Sequence, residues 1–246
     1  MGRGGRRFPF RLGKVSVAQK ILVAWSGGKD SAMALYELKK APDMKVVGLL
    51  TTVTEGYDRI SMHGVRRVLL EQQAESLGLA LHRVDIPPDC VNPVYESRMQ
   101  EVLEASQRRG VEAVAFGDLF LEEIRRYREA NLARISMRGI FPIWGRDTRQ
   151  LLRDFLSLGF KGVVVCVDTA QIPASLAGRM IDESFLNDLP AHADPCGENG
   201  EFHSFVFDGP LFRQPVQFEI GEVVMRDRFS YCDLVPTSII HSPVSA

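Results

Sequence analysis

Ile21-Leu22-Val23-Ala24-Trp25-Ser26-Gly27-Gly28-Lys29-Asp30-Ser31 decides how the chain reads. Residues 21–25 form an unbroken apolar run, the mark of a strand buried on both faces of a parallel sheet. The chain then turns on two glycines and enters a helical pattern, Ala32 to Lys40. A strand, a glycine turn and a helix start aim backbone N–H groups and the positive helix end at one spot, which suits an anion, most often a phosphate. Gly27 and Gly28 permit positive φ and close approach of the main chain. Ser26 and Ser31 add hydroxyls. A cation is a poor neighbour for a helix N-terminus, so Lys29 makes sense as the partner of a bound anion. Asp30 is either a first-turn helix acid or a ligand for Mg²⁺. The GxxxxGK[ST] spacing of the Walker loop is absent.

Composition narrows the class. The chain has 246 residues, 45% hydrophobic and 25% charged, enough for one large α/β domain or two smaller ones. A net charge of −1 gives no bulk electrostatic grip on nucleic acid. No apolar run is long enough to span a membrane. Cys90, Cys166, Cys196 and Cys232 are far apart, without CxxC or metal-ligand spacing, which fits a reducing cytoplasm. Cys196 neighbours Gly197 and Glu198, but a nucleophilic thiol needs an activating base, and a non-catalytic cysteine is expected.

Residues 1–19 read as a flexible basic tail, with Arg3, Arg6, Arg7, Arg11 and Lys14. Strands are expected at 46–53, 79–86 and 111–116. Helices are expected at 64–77, closed by Gly78, at a segment capped by Asn92 with Pro93 in its first turn, and at 121–132. This alternation predicts a doubly wound parallel sheet, a Rossmann-like α/β fold, over 20–134. Ligands in such sheets sit beyond the carboxyl ends of the strands, where the loops at 26–31, 54–63, 87–90 and Gly117-Asp118 collect. A second, smaller α+β domain is expected over 135–246. It should hold a strand-like 140–145, a helix capped by Thr148, a buried strand at 160–167, an irregular polar stretch at 190–204, and short β segments at 216–225 and 229–235.

Ser26–Ser31 resembles the pyrophosphate loop of the PP-loop ATP pyrophosphatases, the adenine nucleotide alpha-hydrolase group. Together with Gly117-Asp118-Leu119, Pro142-Ile143-Trp144-Gly145 and Gly200-Glu201-Phe202, in that order, it resembles the diphthine–ammonia ligase family over about 20–235. Where that family tends to carry Glu-Gly-Gly-Glu-Phe-Glu-Thr, this chain reads Glu198-Asn199-Gly200-Glu201-Phe202-His203-Ser204, which looks like the family's bacterial branch. The resemblance implies an AMP-forming amide ligase. Such an enzyme adenylates a carboxylate with ATP, releases pyrophosphate and lets ammonia displace AMP.

The expected site follows. Ser26, Gly27, Gly28, Lys29, Asp30, Ser31, Gly117 and Asp118 bind ATP, with Asp30 and Asp118 as candidate Mg²⁺ ligands. Lys29, Asp30, Glu201 and His203 are the candidate catalytic groups. Glu55, Tyr57, His63, Glu198, Asn199, Gly200 and Ser204 are the candidate substrate contacts. The expected partners are a small-molecule or protein carboxylate and ammonia, with no nucleic acid or membrane and with room for a homodimer. The competing readings are a PP-loop tRNA-modifying enzyme and a non-catalytic nucleotide-binding protein.

Overall fold

The computed structural model describes residues 18–56, 59–60 and 64–237. Most of the basic tail, and Tyr57 and His63, therefore lie outside the described residues. The first half of the chain alternates strand and helix: β1 (Gln19–Ala24), α1 (Lys29–Lys40), β2 (Met44–Thr54), β3 (Arg59–Ile60), α2 (Arg67–Leu77), β4 (Ala80–Ile86), α3 (Asn92–Gln107), β5 (Val111–Ala115), α4 (Glu122–Arg134) and β6 (Arg138–Ile140). The second half holds α5 (Thr148–Ser157), β7 (Lys161–Asp168), α6 (Glu183–Asp188), β8 (Phe202–Asp208), β9 (Phe218–Arg226) and β10 (Phe229–Pro236).

The parallel strands lie in the order β4-β2-β1-β5-β6, and the two-residue β3 folds back antiparallel on the end of β2. This is the expected Rossmann-like sheet. The strand order reverses between β1 and β5, and a crevice at that point is where such sheets hold ligands. Strand alternation explains how β1 is covered on both faces. Ile21 and Val23 pack with α1, α2 and the second half of the chain, while Leu22 packs with Leu103 of α3 and Leu132 of α4. The second sheet is antiparallel, β8-β7-β10-β9. Its Val163, Val165, Phe202 and Phe205 join the same apolar cluster as Met33, Leu35 and Leu69, so one core runs through both sheets.

Several local expectations change. Helix α3 is capped by Val91, and Asn92 is its first residue. Helix α5 is capped by Asp147, whose carboxylate accepts the Gln150 N–H at 2.7 Å, and Thr148 is the first helical residue. Residues 142–145 form a turn, not a strand; the strand ends at Ile140. Gly78 does close α2, at φ +66. Among the described residues no helix is long and apolar enough to cross a membrane.

Candidate active site

The crevice at the reversal point is a cavity of about 920 Å³. Its floor is the turn after β1. Gly27 takes φ +80, and a Cβ there would stand 2.9 Å from Gln73 Oε1, so only glycine fits. Gln73, fully buried on α2, holds this turn. It accepts the Trp25 indole N–H at 2.9 Å and donates to the carbonyls of Gly27, at 3.0 Å, and Val206, at 2.5 Å. The Val206 N–H also donates to the Gly27 carbonyl, at 2.8 Å. The anion-type loop is thus pinned by a strand of the second sheet. Gly117 sits so close to α1 that a Cβ would lie 2.7 Å from the Asp30 carbonyl carbon. This close approach brings the β5 loop onto the helix start.

Lys29 is 3% exposed. Its backbone N–H donates to Ser204 Oγ at 3.2 Å. Its ammonium donates to the Cys196 carbonyl and to Asp30 Oδ2 at 2.9 Å, and lies 5.0 Å from the centre of the Phe202 ring. Burial opposes the charge on Lys29, but the acidic neighbours together, Asp30 foremost with Glu198 adding, hold the pKa above its ordinary value. The other Asp30 oxygen, Oδ1, is buried without a hydrogen-bond partner among the described residues. Ser31 Oγ donates to the Gly28 carbonyl at 2.8 Å, and Ser26 Oγ accepts the Gly28 N–H at 3.3 Å.

The loop from Asp194 to Glu201 covers the cavity from the second half of the chain. Two carboxylates build it from inside. Asp194 Oδ2 accepts the N–H groups of Cys196 and Glu198, each at 3.0 Å. Glu201, 2% exposed, accepts the Asp194 N–H at 2.8 Å, the Asn199 N–H at 3.0 Å and the Asn199 side-chain amide at 3.1 Å. Glu201 and Asn199 do not line the cavity; Glu198, Gly200, His203 and Ser204 do. Glu198 Oε1 accepts the Leu119 N–H at 2.7 Å and so ties this loop to the β5 loop. Burial, with the charges of Asp30 and Asp118 added, pushes the Glu198 carboxyl up to about 7. Cys196 is buried, its thiol is raised by that burial, and it donates to the Thr148 carbonyl at 3.3 Å, so it offers no thiolate.

Asp118 faces Arg128 of α4 through both oxygens, at 2.7 and 3.1 Å, and the guanidinium lies 4.4 Å from the Phe116 ring centre. Glu55 is exposed and outside the cavity wall. Gln73, Asp194 and Arg128 were not singled out from sequence. Their roles depend on partners 46 to 133 positions away for Gln73 and on loop-internal geometry for Asp194, and neither leaves a periodic signal.

Residues 19–138 match the family described as Diphthamide synthase N-terminal domain, and residues 147–238 match Diphthamide synthase C-terminal domain. The chain is similar to the diphthine–ammonia ligase of Bos taurus, 26% identical over 221 residues that cover 81% of this chain and 82% of the relative. It is 24% identical to the Homo sapiens diphthine–ammonia ligase over 222 residues, covering 81% and 83%. The Schizosaccharomyces pombe diphthine–ammonia ligase is 26% identical over 235 residues, which cover 87% of this chain and 38% of that longer protein. With both domains matched in order and the motif-bearing loops meeting at one cavity, the chain belongs to the diphthine–ammonia ligase family.

Proposed function

We propose that the chain is an ATP-dependent, AMP-forming amide ligase that activates the carboxylate of diphthine, or of a closely similar acceptor, and joins it to ammonia. The observation that carries this reading is the cavity itself. Its floor is a pyrophosphate-type loop from the parallel sheet, and its cover is the Asp194–Glu201 loop with the start of β8 from the antiparallel one. The names of the relatives support the acceptor and the bond formed.

Each group has a task in this scheme. The amides of the Gly27–Lys29 turn and the helix end behind them receive phosphate oxygens. The Lys29 ammonium neutralises the charge that develops on departing pyrophosphate, so it acts on the rate and not only on affinity. Ser26 and Ser31 hold the turn and offer hydroxyls to the same phosphates. The Asp194–Glu201 loop and the start of β8 cover the cavity and limit water, which would hydrolyse an activated carboxylate. His203, on the cavity wall, faces the acceptor side.

The residues also fit a Mg²⁺ ion. Asp30 lines the cavity and its Oδ1 is buried without a hydrogen-bond partner, and among the described residues no cluster of three acidic, His or Cys ligands exists. Mg²⁺ bound with ATP phosphates needs only one or two protein carboxylates. Asp30 would be the first and Asp118, released from Arg128, the second. When bound, the ion would shield phosphate charge.

The test is product analysis with labelled ATP, ammonium chloride and a diphthine-bearing peptide. AMP with pyrophosphate, formed only when all three are present, is the expected result. ADP with phosphate excludes the mechanism. Lys29→Ala should lower turnover by about a hundredfold or more, within the range for loss of one charge-stabilising group.

A further inference from the structure

Two glutamates stand three positions apart in the covering loop, and the fold uses them differently. Glu201 is consumed by the loop's own N–H groups. Glu198 spends one oxygen, Oε1, on the Leu119 N–H, and its other oxygen has no partner among the described residues. That oxygen belongs to a side chain on the cavity wall, in the covering loop, within electrostatic reach of the Lys29 ammonium. We propose that Glu198 is the ammonia subsite: its free carboxylate oxygen holds an ammonium ion beside the activated acceptor and takes one of its protons. The inference rests on the ligase reading above.

The chemistry balances. One N–H bond of ammonium breaks and its proton moves to the Glu198 carboxylate. The nitrogen lone pair so released forms the C–N bond to the acyl carbon. The C–O bond to AMP breaks, AMP leaves with its electron pair, and the nitrogen sheds its second surplus proton to the departing phosphate or to water, leaving the neutral amide. No oxidant or reductant is involved. A carboxylate suits this task because it attracts the cation and then stores the proton away from the nucleophile.

The surroundings agree. The groups facing Glu198 are Lys29 and Asp30 of α1, Asp118 with its Arg128 partner beside the β5 loop, and Asp194 and Cys196 of its own loop. The Lys29 ammonium is already engaged by Asp30 and the Cys196 carbonyl, and Arg128 by Asp118. Lys29 lies within electrostatic reach of Glu198, but its hydrogen bonds go elsewhere, so the second Glu198 oxygen meets an entering small cation without a hydrogen-bonded counterion among the described residues. The tie to Leu119 fixes the carboxylate in place, which a proton acceptor needs.

The experiment separates this proposal from the ligase reading because its first arm needs no turnover. Thermal unfolding of the full chain with AMP is compared in ammonium chloride and in sodium chloride at equal ionic strength. The expected result is a higher melting temperature in ammonium for the wild type, lost in Glu198→Gln and kept in Glu198→Asp. Gln can still accept from Leu119 but carries no charge, so the fold is retained. The absence of an ammonium-specific shift in the wild type, or its survival in Glu198→Gln, overturns the proposal.

The second arm is kinetic. Glu198→Gln should raise the KM for ammonium by about tenfold or more with the ATP KM unchanged, and the defect should shrink as pH rises and free ammonia accumulates. An unchanged ammonium KM, or a raised Mg²⁺ requirement in its place, overturns it. A wild type that yields no AMP and pyrophosphate sinks the ligase reading alone.

Discussion

The backbone N–H of Lys29 donates to the hydroxyl of Ser204 at 3.2 Å, across 175 positions of sequence. The first amide of the phosphate-type helix is thereby satisfied by a strand of the other sheet. This N–H is one of the orphan donors at a helix start, so in the absence of a ligand it needs an acceptor. Ser204→Ala should lower stability by about 1 kcal/mol, measured by urea unfolding. ATP affinity by calorimetry should not weaken, because a phosphate oxygen takes over the same donor. A tenfold loss of ATP affinity would mean that Ser204 itself grips the nucleotide.

Glu201 organises the loop that covers the cavity. Glu201→Ala removes the acceptor for three N–H donors around a buried site. The expected cost is about 2–4 kcal/mol, since stranded buried donors are expensive. Differential scanning calorimetry checks it. A variant of wild-type stability would show that Glu201 has no structural task.

Asp233 of β10 joins the two sheets. Its oxygens meet Arg59 at 2.9 Å and Arg66 at 2.6 Å. Hydrogen bonds from Arg66 and Arg59 hold its carboxyl below the ordinary 3.8 despite partial burial. A depressed carboxyl contributes stability that is fully present above pH 3.8 and is lost as pH falls through the lower folded value. Both arginines are partly solvated, so the contribution is discounted to about 1 kcal/mol. Asp233→Asn should be less stable than the wild type at pH 7, and the gap should close as pH falls below the lowered folded value. Parallel acid titrations followed by circular dichroism would reveal a gap that persists, which would refute the assignment.

The four cysteines should differ in reactivity. Cys90 is half-buried, whereas Cys166, Cys196 and Cys232 are buried with raised thiols, Cys166 at about 11. Iodoacetamide at pH 8 should label Cys90 first, by about tenfold or more, because thiolate fraction and access control the rate. Peptide mass mapping reads this out. Cys196→Ala should keep turnover within about threefold; its loss would reopen a covalent role for the thiol.

The sequence by itself determined the parallel sheet, the anion-type turn after β1 and the order of the motif-bearing segments. Each of these rests on local signals: an apolar run, a glycine pair, a helical period and a short motif. Its errors were equally local. Asn92 and Thr148 carry cap-type side chains but stand one residue inside their helices, and residues 142–145 turn where a strand was expected. What only the tertiary structure decided is the division of labour among like residues. Glu198 and Glu201 are the same residue type in one loop, yet one reaches the cavity and the other is absorbed by three N–H groups. Gln73 gained its role from Trp25, Gly27 and Val206 meeting around it. The physical reason is that a buried polar group is defined by the partners the fold brings to it, and those partners come from segments far apart in the chain.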